Sequence, residues 1–259
     1  MKSRLTTILL LTIFTCSLYG QINSQTNTEA KDKTIFITGG VFDKVYINYV
    51  AELTGKPNPK ICYIATAKGD NPAAIAQWYS NCEDLPIRPY VLKTFVNSKT
   101  SPKSFEEVIM SMDAIVVSGG NTLNMLAIWI VQGIDSLLRK AYESGIVMAG
   151  GSAGSLCWFT GGSTDSRPKE LTIIKGLGFL DFSHSPHYLK ELSRRPLYHD
   201  LILSEKLQPG YACDDMAGLL FINGKMTKSV SMNTENNNYF VSVKDGKIIE
   251  ELLPAEIIN

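Results

Sequence analysis

The chain has 259 residues, of which 44% are hydrophobic and 19% charged, with 25 basic residues balancing 25 acidic ones. That length and apolar share suit one α/β domain with a sizeable core. A net charge of zero argues against a nucleic-acid or anionic-membrane partner and leaves a small substrate or another protein.

In chain order, Lys2 and Arg4 precede an apolar run from Leu5 to Tyr19, and Gly20-Gln21 follow. A basic head, a short apolar centre and a small residue at its end read as a signal peptide over residues 1–20, with the mature protein periplasmic or secreted. The run falls short of the ~20 apolar residues of a membrane span. Lipid attachment at Cys16 ranks below cleavage, because Ile13-Phe14-Thr15 lacks the small residue expected before it. The polar residues 21–32 read as a disordered lead-in, and 33–259 as a single domain. Export permits disulfides among Cys62, Cys82, Cys157 and Cys213. None has metal-ligand spacing, and no metal is expected. Cys62 and Cys157 lie in apolar segments and read as buried thiols.

Short apolar runs then alternate with helical spacing. Strands are expected at 34–38, 61–65, 90–95, 114–117 and 145–149, with helical segments such as Ala73 to Trp78 and Leu123 to Tyr142 between them. Pro72 suits the first turn of the former helix, where its missing N–H costs nothing. Continuous apolar strands alternating with helices imply a mostly parallel sheet covered on both faces, with functional loops at the carboxyl ends of the strands. Glycine pairs end three of these runs, at Gly39-Gly40, Gly119-Gly120 and Gly150-Gly151, which points to one crevice. Farther on, Asn223-Gly224 and Asp245-Gly246 between apolar runs are hairpin signals. They predict a small antiparallel extension at one edge.

The chemistry concentrates at Gly150-Gly151-Ser152-Ala153-Gly154. A strand before it and the apolar stretch Ser155 to Phe159 after it predict a strand–turn–helix nucleophile elbow with Ser152 at its tip. The helix N-terminus and the Ala153 amide would then face a developing oxyanion. Gly120, in Ser118-Gly119-Gly120-Asn121-Thr122, is the candidate second donor, and Asn121 suits a helix cap. No Lys-Ser or Lys-Thr follows, so this is not a P-loop. The base must be one of three histidines, His184, His187 and His199, all beyond Ser152. His187, stiffened by Pro186, is favoured. For the carboxylate that orients it, Asp165 competes with Asp181, Asp214 and Asp215.

At these residues the sequence resembles the dipeptidase E branch of peptidase family S51, within the class I glutamine amidotransferase-like superfamily. The matching landmarks are Gly119-Gly120-Asn121-Thr122, the elbow at 150–154, and Pro186-His187-Tyr188. The resemblance runs from about Thr34 to Val243. It implies a flavodoxin-like three-layer α/β sandwich, Ser152, His187 and Asp165 as a triad, and Gly120 and Ala153 as oxyanion donors. It also implies an arginine for the substrate's aspartate side chain, Arg194 by alignment with Arg195 as rival. Asn121 is carried as a further substrate contact.

The function expected is hydrolysis of short peptides, dipeptides with N-terminal aspartate foremost, through an acyl-enzyme and without a cofactor. A small peptide is the partner, and a homodimer is compatible. The alternatives are a cyanophycinase-like isoaspartyl peptidase and a non-catalytic binding protein of the same fold. Glutaminase relatives carry cysteine at the elbow, and an α/β-hydrolase esterase usually places its histidine near the C-terminus. Both fit this chain less well.

Overall fold

Alternation of apolar runs and helical spacing gives β1 (Thr34–Thr38), α1 (Lys44–Leu53), β2 (Lys60–Ile64), α2 (Pro72–Asn81) and β3 (Arg88–Leu92). It continues through α3 (Phe105–Ile109), β4 (Ala114–Val117), α4 (Thr122–Gln132), α5 (Ile134–Glu143) and β5 (Val147–Gly151). The computed structural model describes residues 31–95 and 102–259. The expected signal peptide and residues 21–30 of the lead-in lie outside them. Helix α2 opens with Pro72 in its first turn, behind an Asn71 side chain that accepts from the Ala73 and Ala74 amides.

The second half is richer in strands. It runs α6 (Ala153–Leu156), β6 (Phe159–Thr164), β7 (Thr172–Lys175), β8 (Leu180–Ser185), α7 (Arg194–Leu203) and β9 (Gly210–Cys213). The hairpins β10 (Ala217–Ile222) with β11 (Lys225–Ser231), and β12 (Asn238–Lys244) with β13 (Lys247–Leu253), precede a short β14 (Glu256–Ile257).

The first sheet has the order β14-β11-β10-β1-β5-β4-β2-β3. Strands β1 to β5 run parallel within it, and β10 joins β1 antiparallel. Side chains alternate across it. Phe36, Ile61, Tyr63, Val116 and Ala149 pack with α1 and α2 on one face. Ile35, Ile37, Cys62, Ile115, Val117 and Met148 pack on the other with Met125, Trp129 and Leu138 of α4 and α5. This is the expected α/β/α layering on a parallel-rich sheet.

Three local expectations change. The helical pattern from Leu123 to Tyr142 is two helices, broken at Gly133, whose φ of +72° ends α4 in the left-handed region that glycine tolerates. The stretch after Ser152 makes only a single helical turn, because Phe159 already begins a strand. The antiparallel extension accounts for only part of the C-terminal half. The β10–β11 hairpin does extend the main sheet, but β12–β13 belongs to a second, six-stranded sheet of order β13-β12-β9-β8-β6-β7. Its β6, β8 and β9 run parallel to one another. Phe159, Leu180 and Tyr211 join this sheet to the main core, and α7 covers it through Tyr198, Leu201 and Ile202 against Tyr239 and Val241.

Cys62, Cys82, Cys157 and Cys213 are buried, free thiols. Burial pushes Cys62 and Cys82 up to about 12, which keeps them protonated and unreactive at neutral pH.

Candidate active site

Ser152 sits between β5 and α6 at φ +57° and ψ −117°, a backbone region that costs a non-glycine residue ~1–3 kcal/mol. Glycines make the turn sterically possible. A Cβ at Gly154 would lie 2.1 Å from the Val117 carbonyl oxygen, and one at Gly151 would lie 2.6 Å from Thr38 Oγ1. Because the obstacle at Gly154 is backbone, Gly154→Ala is expected to destabilise the fold by about 3 kcal/mol, read as a lower midpoint in urea. The elbow therefore projects Ser152 from the carboxyl end of a central parallel strand, where open α/β sheets place ligands.

The other two groups come from the second sheet. His187 follows β8, and its backbone N–H donates to the Gly39 carbonyl at 3.1 Å. Its Nε2 lies 2.8 Å from Ser152 Oγ, and its Nδ1 lies 2.6 Å from Asp215 Oδ1, just beyond β9. A Cβ at Gly40 would lie 2.7 Å from His187 Cε1, and one at Gly119 3.1 Å from the Ser152 Cβ. Two of the three glycine pairs thus leave room for the serine and histidine side chains, and the third shapes the turn.

The carboxylate that meets His187 is that of Asp215, and the structure does not bring Asp165 to the histidine. Asp165 extends from the end of β6 with its side chain 64% exposed and its carboxylate 3.5 Å from Arg194 Nη2. The expectation placed Asp165 after a nucleophile helix. That helix is one turn long, and β6 then runs parallel beside β8, with the Asp165 carboxylate turned outward to Arg194 rather than to His187. Burial raises the Asp215 carboxyl, but the Lys190 ammonium and His187 outweigh it and hold the group below the usual carboxylate range. Its neighbour Asp214 is raised by burial. Asp214 accepts the Leu189 and Asn237 amides at 3.1 and 2.9 Å, which fixes the turn after His187.

The remaining candidates separate clearly. Gly120 adopts φ +135°, and a Cβ there would lie 2.2 Å from the Ala67 carbonyl oxygen. Among the described residues, no hydrogen bond engages the amides of Gly120 and Ala153. Because α6 is so short, any oxyanion stabilisation must come from such amides rather than from a helix dipole. Asn121 caps α4 by accepting from Asn124 N–H and ties that turn to the Ser166 carbonyl at 3.0 Å. Its side chain is thereby committed to the fold. Arg194 is buried, with its guanidinium on Glu191 at 2.6 and 3.3 Å and on the Ser163 carbonyl at 3.3 Å. Arg195 forks onto Glu250 at 2.6 and 3.0 Å. His199 also meets Glu250, at 2.9 Å.

His184 lies behind the elbow. Its Nδ1 is 3.0 Å from the Tyr211 carbonyl and its Nε2 is 2.9 Å from Ser155 Oγ, and the ring stacks on Phe159. Burial lowers this histidine to about 3, so it is neutral, with Nδ1–H donating to the carbonyl. An unfolded chain would protonate it near 6.5. Between those values the unfolded state binds more protons, so stability falls as pH drops from about 6.5 toward 3. The melting temperature is expected to decline over that window with a shallower slope in His184→Gln.

Comparison with known proteins matches the family model "Peptidase family S51" over residues 34–229. The chain belongs to peptidase family S51. This S51 member is 40% identical over 211 residues to the uncharacterized peptidase YgaJ of Bacillus subtilis (strain 168), covering 82% of this chain and 90% of that one. A crystal structure of a peptidase from an acI-B1 Actinobacterium superposes with a TM-score of 0.70 at 16% identity, over 89% of this chain and 97% of that one. A putative peptidase E protein from Listeria monocytogenes EGD-e gives 0.60 at 19%, over 78% and 100%. The two solved structures share the fold, and the family makes this chain a peptidase.

Proposed function

We propose that this S51 member hydrolyses short peptides through Ser152, His187 and Asp215. The observation that carries the reading is the unbroken line from Ser152 Oγ to His187 Nε2 and from His187 Nδ1 to Asp215. His187 takes the Ser152 proton as Oγ attacks the scissile carbonyl. Asp215 keeps the Nδ1–H tautomer and balances the imidazolium that forms. The amides of Gly120 and Ala153 receive the oxyanion, each such donor contributing roughly 3–4 kcal/mol in comparable enzymes. His187 then protonates the leaving amine, and water releases the acyl group.

Dipeptides with N-terminal aspartate are the proposed substrate class. Arg194 supports this, since it already holds carboxylates from Glu191 and the exposed Asp165. A substrate carboxylate would replace one of them in the same fork geometry. Export, carried by residues 1–20, is part of the same proposal and is checked by N-terminal sequencing of the mature protein.

The test is hydrolysis of a panel with aspartyl, isoaspartyl and neutral N-termini by the signal-free protein, with Ser152→Ala as control. Turnover confined to aspartyl dipeptides and lost in the variant is the expected result. Isoaspartyl preference would overturn the substrate class, and turnover retained in Ser152→Ala would overturn the mechanism.

A further inference from the structure

We propose that Lys190 sets the pH at which the Ser152–His187 pair becomes competent, by drawing off part of the Asp215 charge. The inference deepens the proposed mechanism and rests on the Ser152–His187–Asp215 line.

The geometry is specific. Asp215 offers Oδ1 to His187 Nδ1 at 2.6 Å, and Oδ2 takes the Lys190 ammonium. The carboxylate thus bridges the imidazole and a cation three residues farther along the chain. That cation is delivered by a fixed turn. Glu191 N–H donates to the His187 carbonyl at 3.2 Å, and Leu189 N–H to Asp214 Oδ1 at 3.1 Å. The Lys190 side chain is 69% exposed while Asp215 is 12% exposed, so the ammonium closes the solvent side of a largely buried carboxylate.

The neighbouring charges leave Lys190 as the group that can do this. His184, from β8, is neutral above about 3. Cys213, at the end of β9, is a protonated thiol, because burial pushes it up. Arg194 of α7 is paired with Glu191. Asp214 adds negative character beside Asp215, and Glu250 of β13 lies within electrostatic reach of Asp214. Both add negative charge on the Asp214–Asp215 side of the turn, and Lys190 opposes them. Removing its ammonium leaves the whole Asp215 charge facing the imidazolium. The ring then holds its proton to higher pH, and the free base appears later. For an exposed charge at this range the expected displacement is about 0.5 to 1 pH unit.

The experiment follows the histidine ring resonances of the whole chain by NMR through a pH titration. The chain has only three histidines, and His187→Asn assigns the one that matters. In Lys190→Met the His187 midpoint is expected to rise by about 0.5 to 1 unit, with the acidic limb of kcat/KM moving equally. Lys190→Arg, which keeps the charge, is expected to restore the wild-type midpoint. An unchanged midpoint in Lys190→Met overturns the inference, as does a uniform loss of activity with no movement of the limb. A chain that shows the shift but cleaves no peptide would refute the substrate reading while upholding the Lys190 coupling.

Discussion

Replacing Ser152 with alanine is expected to lower kcat by about 10⁵- to 10⁶-fold, the loss seen when the nucleophile of an intact serine triad is removed. Steady-state turnover of the best panel substrate measures it, and a fluorophosphonate probe that labels the wild type is expected to leave the variant unlabelled. The fold should not suffer. Ser152 Oγ contributes a hydrogen bond to His187 at a half-open site, and the backbone at φ +57° keeps its strain with alanine in place. Glycine at 152 would relieve that strain. Ser152→Gly is therefore expected to be as inactive as Ser152→Ala but to melt higher. The chain gives up stability at this residue in order to present the hydroxyl.

The second large effect belongs to Asp215→Asn, expected to lower kcat/KM by about 10⁴-fold, against less than about threefold for Asp165→Asn. An asparagine can hold the imidazole in the wrong tautomer and cannot balance an imidazolium. It also leaves the Lys190 ammonium without its carboxylate. Asp165 stands at the exposed end of β6, and its ion-pair partner among the described residues, Arg194, keeps Glu191. The pair of variants decides which acid serves the histidine. Loss in Asp165→Asn with an active Asp215→Asn would reverse the assignment.

Ser152 and His187 were legible because their signals are local. A strand ending in glycines around a serine can be read from ten residues. A histidine held by proline beyond an apolar run needs few more. Asp215 was less legible because its partnership is made across space, between loops 28 residues apart. The usable clue was its position, an acidic pair immediately after the apolar run Gly210 to Cys213, where a parallel strand would end. That clue is available only to a reader who places 210–213 in a parallel sheet. The β8–β9 pairing joins strands on either side of α7, and nothing in the periodicity of either segment reveals it. The second sheet was missed for the same reason. Hairpin signals at Asn223-Gly224 and Asp245-Gly246 announce two turns alike, while tertiary packing sends β10–β11 to one sheet and β12–β13 to the other. Gly133 could have been read as a break, since glycine is the residue that leaves a helix through positive φ.

Ser152 belongs to one sheet, His187 follows a strand of the other, and Asp215 lies in the link from β9 to β10 that joins the two. The 2.8 Å approach of Ser152 and His187 therefore joins two slabs, which hydrogen bonds from His187 N–H to Gly39 and from Val41 N–H to Asp215 pin together beside it. At that seam Phe221 of the first sheet stands edge-on to Phe159 and Tyr211 of the second, with centroids 5.8 and 5.1 Å apart. These rings act as shims. On the proposed mechanism, their packing braces the seam behind the pair that passes the proton. A smaller side chain at Phe221 is then expected to lower turnover as well as stability.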